Sequence, residues 1–199
     1  MEKMSFREIK SILGQKTVGI AGAGGLGSNC AVSLARVGVG RLIIADFDII
    51  IEDNLNRQYF FFRQIGQKKV FALKENIAAI NPDVTVDAHD LKLSPDNIPG
   101  LFAYCDVIVE AFDLAEMKVM LAETTLEHFP EKVLVMGSGL AGFGNNNALT
   151  TFRNGNIIIC GDMENEVCEL MPPLGPRVGI VANMQANMVV ELLINGKEI

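Results

Sequence analysis

The sequence predicts an α/β protein built on a doubly wound, mainly parallel sheet with an antiparallel extension at one edge. Three observations predict it. Apolar runs of strand length alternate with helix-length apolar patterns through residues 17–137. A glycine turn, Gly22-Ala-Gly24-Gly25-Leu-Gly27, joins the first of those strands to the first helix. Past residue 147 the rhythm changes to two short runs around Arg153-Asn-Gly-Asn, a hairpin signal.

The elements follow in order. Residues 17–22 read as a buried strand and 26–37 as a helix ended by Gly38. Residues 41–47 form a second buried strand, and 49–65 an irregular connection. A helix over 67–80 stops at Asn81-Pro82, and 84–89 is the third strand. A helical turn over 99–104 precedes strand four at 107–111. A helix over 114–129 and a strand over 132–137 continue the parallel, right-handed pattern. The hairpin strands are 147–152 and 156–160, and 178–194 is a closing apolar helix. Between them, 161–176 reads as a long mobile loop whose acids, Asp162, Glu164, Glu166 and Glu169, are expected to stay solvated.

The chain has 199 residues, 49% apolar and 21% charged, which suits one domain spanning 1–199. A net charge of −7 argues against nucleic acid and anionic membranes as partners. Without an apolar run of about 18 residues or a signal-peptide core, a cytoplasmic location and no membrane partner are expected. Cys30, Cys105, Cys160 and Cys168 form no C-x-x-C pair, so neither zinc nor a disulfide framework is expected. Cys30 and Cys160 read as packing, and Cys168 sits among acids that disfavour a thiolate. With only His89 and His128, histidine-based chemistry is not expected.

The chemistry concentrates at the ends of the first strands. Gly22, Gly24 and Gly27, with Gly25, form a Rossmann-like turn that aims backbone amides and a helix N-terminus at phosphate. The bland alternative is a tight turn that only needs small residues. Asp46 follows nineteen residues after Gly27, where a carboxylate meets a ribose hydroxyl. The bland alternative is that it simply caps a strand end, and Asp48 reads as loop structure. The segment Asn54-Leu-Asn-Arg57-Gln58 and then Lys69 are what a plain dinucleotide site lacks. Arg57 and Lys69 alone would be surface charges. Together they suit a triphosphate whose charge changes in reaction. Asp113, just past strand four, suits Mg²⁺ on phosphates or the N-cap of the next helix.

These motifs, with Gly66-Gln-Lys-Lys69-Val and Ile80-Asn-Pro82, resemble the ThiF/MoeB family, which is related to ubiquitin-activating enzymes, over about residues 15–160. The chain length, Pro173-Leu-Gly-Pro-Arg-Val-Gly-Ile180 and Ala182-Asn-Met-Gln-Ala-Asn187 look most like the short ThiF subfamily of thiamine synthesis. The resemblance implies a sulfur carrier protein adenylyltransferase. The C-terminal glycine carboxylate of a small ubiquitin-fold sulfur carrier, ThiS-like, would attack the α-phosphate of ATP with Mg²⁺. By position, residues 22–27 would cradle phosphates and Asp46 would hold the ribose. Asn54, Arg57 and Gln58 would line the nucleotide site, Lys69 would offset the departing charge, and Asp113 would bind the metal. It also implies a homodimer, expected across the exposed apolar surface of the sheet.

Three positions depart from the family pattern. The zinc-binding C-x-x-C pairs of longer members are absent. Arg7 is the only arginine before the glycine turn, where the family carries an Arg motif that acts in trans. Asp53 stands where a serine is usual. Two other readings share the fold: a nicotinamide-dependent oxidoreductase, which leaves Arg57, Lys69 and Asp113 without a task, and a non-catalytic nucleotide-binding module.

Overall fold

Side chains alternate across each central strand, and both faces are apolar. Val18 and Ile20 of β1 (Thr17–Ala21) enter one core, with Leu42 and Ile44 of β2 (Arg41–Ala45) and Val107 and Val109 of β4 (Val107–Glu110). Ala21, Ile43, Ala45 and Ile108 enter a second core on the opposite face. A strand buried on both faces must carry helices on both, which is why the sequence reads as unbroken Val/Ile/Leu runs.

The computed structural model describes residues 3–196. The remaining elements are α1 (Phe6–Leu13), α2 (Gly25–Val37), α3 (Lys69–Ile80), β3 (Thr85–His89), α4 (Ile98–Phe102), α5 (Ala115–His128), β5 (Val133–Ser138), β6 (Thr150–Asn154), β7 (Ile157–Gly161) and α6 (Gly175–Asn195). The sheet order is β3-β2-β1-β4-β5-β7-β6. Only β6 runs antiparallel, against β7, while β7 joins β5 in parallel. The order reverses between β1 and β4, and the crevice beyond their carboxyl ends is where ligands bind in such sheets. The α2, α3 and α6 residues lie in the first core, and the α4 and α5 residues in the second. Gly19 makes room there: a Cβ on it would stand 2.6 Å from the Phe102 ring.

The structure corrects several expectations. Helix α1 was not anticipated, although Ser5 and Glu8 form a reciprocal capping box readable as S-x-x-E. The irregular connection holds 3-10 turns at Glu52–Asn56 and Phe62–Gln64. Strand β6 starts later than expected because a 3-10 turn at Asn146–Ala148 takes its first residues. Helix α6 is long and apolar enough to cross a membrane by length and composition. Here its inner face, with Val178, Val181, Ala182 and Val189, is packed in the first core. Helices cover the central strands on both faces, while Phe152 of the edge strand β6 stays 51% exposed. Phe62 at 73%, Phe143 at 85% and Leu170 at 95% all sit outside the strands.

Candidate functional site

The β1–α2 turn is shaped by its glycines. Gly22 has φ +103°, a conformation that disfavours side chains. A Cβ on Gly27 would stand 1.9 Å from the Gly22 carbonyl oxygen, so that position admits nothing larger. Gly24 is the N-cap of α2 and provides no side-chain cap for the first-turn amides. Asp46, just past β2, accepts the Ala23 amide at 2.7 Å and the Asp48 amide at 2.8 Å. Its carboxylate therefore fixes the glycine turn and keeps lone pairs for a further donor.

The connection after β2 folds back onto that turn. Arg57 lies with its Cγ 3.5 Å from where a Gly25 Cβ would be. Its Nη1 donates to the Asp53 carbonyl at 3.1 Å and to Asn56 Oδ1 at 3.0 Å. Asp53 thus meets Arg57 through its backbone, and its side chain is exposed. Asn29, on α2, donates to the carbonyls of Gly25 (2.7 Å) and Arg57 (2.9 Å), joining helix and connection. Gln58 is buried beside Gly24, its Nε2 3.8 Å from a Cβ there, and its Oε1 is buried without a partner. Asn54 is buried and spends its Oδ1 on the Ile51 amide, capping its own turn.

Lys69 opens α3 and is 5% exposed, with its Nζ 2.7 Å from Asp48 Oδ2. Asp48 is therefore the partner of a buried ammonium, a role beyond the loop structure expected of it. Asp113 is exposed in the β4–α5 connection. It does not cap α5, whose N-cap is Leu114. The glycine turn abuts this connection, since a Gly22 Cβ would stand 2.8 Å from the Ala111 carbonyl oxygen. The structure thus brings Gly24, Gly25, Asp46, Arg57 and Gln58 into one cluster. It joins Lys69 to Asp48, and it places Asp113 beyond the neighbouring strand end.

Two buried ion pairs were not anticipated. Glu110, the last residue of β4, is fully buried and accepts Lys118 Nζ at 2.9 Å on both oxygens and the Phe112 amide at 2.6 Å. Burial raises its carboxyl above the usual range against the pull of Lys118. An acid inside Val107-Ile-Val-Glu110 was the available signal. Asp162 is buried rather than solvated, because Arg177 Nη2, the Glu164 amide and both nitrogens of Asn165 donate to it. Burial pushes that carboxyl up, but the hydrogen bonds outweigh it and hold it below the usual range. The signal was Arg177 itself, which shares α6 with only one other charged residue, Glu191.

Cys30, Cys105 and Cys160 are buried, and Cys168 is exposed. Burial pushes the Cys105 thiol up to about 12 and the Cys160 thiol to about 11, so both are packing groups. Among the described residues no group of three or more His, Cys, Asp or Glu could hold a metal by itself.

A match to the ThiF family runs over residues 4–199. The chain belongs to the ThiF family. A probable adenylyltransferase/sulfurtransferase MoeZ of Mycobacterium tuberculosis is 40% identical to this ThiF-family chain over 95 residues, 47% of this chain and 24% of the relative. An adenylyltransferase and sulfurtransferase MOCS3 of Caenorhabditis briggsae is 32% identical over 186 residues, 87% of this chain and 44% of that protein. The chain thus spans less than half the length of these curated relatives. Among solved structures, the E. coli tRNA N6-threonylcarbamoyladenosine dehydratase TcdA in complex with ATP superposes with a TM-score of 0.85 at 19% identity, covering 94% of this chain and 89% of that one. E. coli MccB superposes at 0.73 and 20% identity, covering 96% and 60%. Both are likenesses of fold.

Proposed function

We propose that this single ThiF-like domain is an adenylyltransferase that activates the C-terminal glycine carboxylate of a small ubiquitin-fold sulfur carrier, ThiS-like, with MgATP. A carboxylate oxygen would attack the α-phosphorus while the bond to the β-phosphate oxygen breaks. The products are an acyl-adenylate and pyrophosphate. The observation that carries this reading is the packing of Arg57 against Gly25 at the uncapped start of α2. With its stem packed on the uncapped helix start, Arg57 would bring a movable guanidinium charge to a phosphate held by the helix amides. An oxidoreductase reading leaves that arrangement idle.

The roles follow from position. Gly22, Gly24, Gly25 and Gly27 let the backbone approach phosphates closely. Asp46, already holding Ala23, would accept a ribose hydroxyl. Arg57, Asn54 through its Nδ2 donors and Gln58 would line the phosphate side. Lys69, parked on Asp48, would offset charge as pyrophosphate forms. Asp113 would hold magnesium, which neutralises phosphate charge when bound. Catalysis of this kind is positioning and electrostatics and needs no histidine. The names of the MoeZ and MOCS3 relatives support an adenylyltransferase, and the ATP complex of TcdA supports ATP as the nucleotide. The ThiS-like carrier, a homodimer and a cytoplasmic setting belong to the same reading. Calorimetric titration tests the ligand: MgATP should bind more tightly than NAD, and the reverse order would overturn the proposal.

A further inference from the structure

A buried ion pair ties the loops at the β5 and β7 ends of the sheet to the Arg57 segment. Arg177, in the first turn of α6, is 4% exposed, and Asp162, just past β7, is 7% exposed. Arg177 Nη2 donates to Asp162 Oδ2, and its Nη1 donates to the Gly144 carbonyl at 2.5 Å. Asp162 also gathers the amides of Glu164 at 3.0 Å and Asn165 at 2.9 Å. One guanidinium thus fastens three segments: the loop after β5, the loop after β7 and α6.

The same helical turn touches the candidate site. A Cβ on Gly175 would stand 2.4 Å from the Asn56 carbonyl oxygen and 3.7 Å from Arg57 Cα. Val178 packs against Gly25, where a Cβ would meet its Cγ1 at 2.8 Å. Leu174, the N-cap, offers no side-chain cap, so Arg177 is the polar anchor of this turn. For stability alone, well-packed apolar residues would serve as well as a buried pair. A planar guanidinium with two fixed acceptors adds direction.

We propose that Arg177 is a positioning residue: held by Asp162 and Gly144, it sets the first turn of α6, and through it Arg57 and the Gly24–Gly25 end of α2, in the arrangement that grips MgATP. This rests on the adenylation reading of that site. It makes the β7 loop part of the nucleotide machinery without any contact to the nucleotide.

The test uses the full-length chain with Arg177→Lys and Asp162→Asn, hydrogen–deuterium exchange, and titration with MgATP alone. Arg177→Lys keeps the buried charge, but a single ammonium cannot span both acceptors of the fork. In both variants amide exchange over 52–58 should quicken and MgATP should bind about tenfold more weakly, the loss of one charged hydrogen bond. Strand β1 should stay protected. Faster exchange confined to 139–145 and 162–174, with unchanged MgATP affinity, would reduce the pair to a local brace and overturn the proposal. If a variant loses protection everywhere, the double replacement Arg177→Met with Asp162→Asn, which leaves no lone buried charge, is judged by the same two readouts. A wild-type chain that binds no MgATP would sink the adenylation reading, and this role with it.

Discussion

The Asn29 side chain donates to the Gly25 carbonyl at 2.7 Å and to the Arg57 carbonyl at 2.9 Å, so one amide joins the glycine-led helix to the arginine segment. Asn29→Ala removes both bonds. Each is worth about 1 kcal/mol net, so a fall in Tm of several degrees is expected. MgATP affinity should fall as well, because Arg57 loses its tether. Unchanged affinity by titration would mean that Arg57 is held by its own segment alone.

Gly27→Ala should unfold the protein or cost about 3 kcal/mol or more, because its Cβ would stand 1.9 Å from the Gly22 carbonyl. Gly100→Ala is the control. Nothing lies within 4 Å of its Cβ in α4, and the change should leave Tm level or slightly raised. Equal melting of the two variants would contradict the packing described for the turn.

Arg57→Ala and Lys69→Ala should each slow carrier-dependent ATP–pyrophosphate exchange about a hundredfold, about 3 kcal/mol of lost charge stabilisation. Both should fold, since Arg57 is half-buried and the carboxylate left by Lys69, Asp48, is 49% exposed. Near-normal exchange in either variant would remove that residue from the mechanism.

The pH dependence of stability has a definite sign. Asp162 is held below the usual carboxylate range in the folded state, so its contribution is full above the unfolded pKa of about 3.9. It is lost as pH falls through the folded value. The Tm gap between wild type and Asp162→Asn should therefore be constant from pH 7 to about 5 and narrow below about 4. A gap that widens in acid would contradict the hydrogen-bonded carboxylate seen here.

The central βαβ unit was legible because its signals are local. Val18 and Ile20 alternate with Gly19 and Ala21, and the glycines announce the turn that follows. Ser5 and Glu8 mark the start of α1 just as locally, as a capping box. The ion pairs were not legible. Arg177 finds Asp162 only because α6 returns to the edge where β7 ends, a juxtaposition set by topology. Asp48 could not be told from a solvated loop acid until α3 brought Lys69 against it. Asn29 carried no mark, since its partners are backbone carbonyls. Acids in a glycine- and proline-rich stretch read as solvated by composition, and Asp162 is the exception because a guanidinium sits beneath it.

The most direct test of the central claim is ATP–pyrophosphate exchange by the purified chain with a ThiS-like carrier ending in Gly-Gly. Carrier adenylation at this site requires exchange that depends on both MgATP and the carrier and that is lost when the carrier's terminal glycine is removed. Absence of exchange with such carriers, in a chain that is folded and binds MgATP, would contradict the assignment of this site to carrier adenylation.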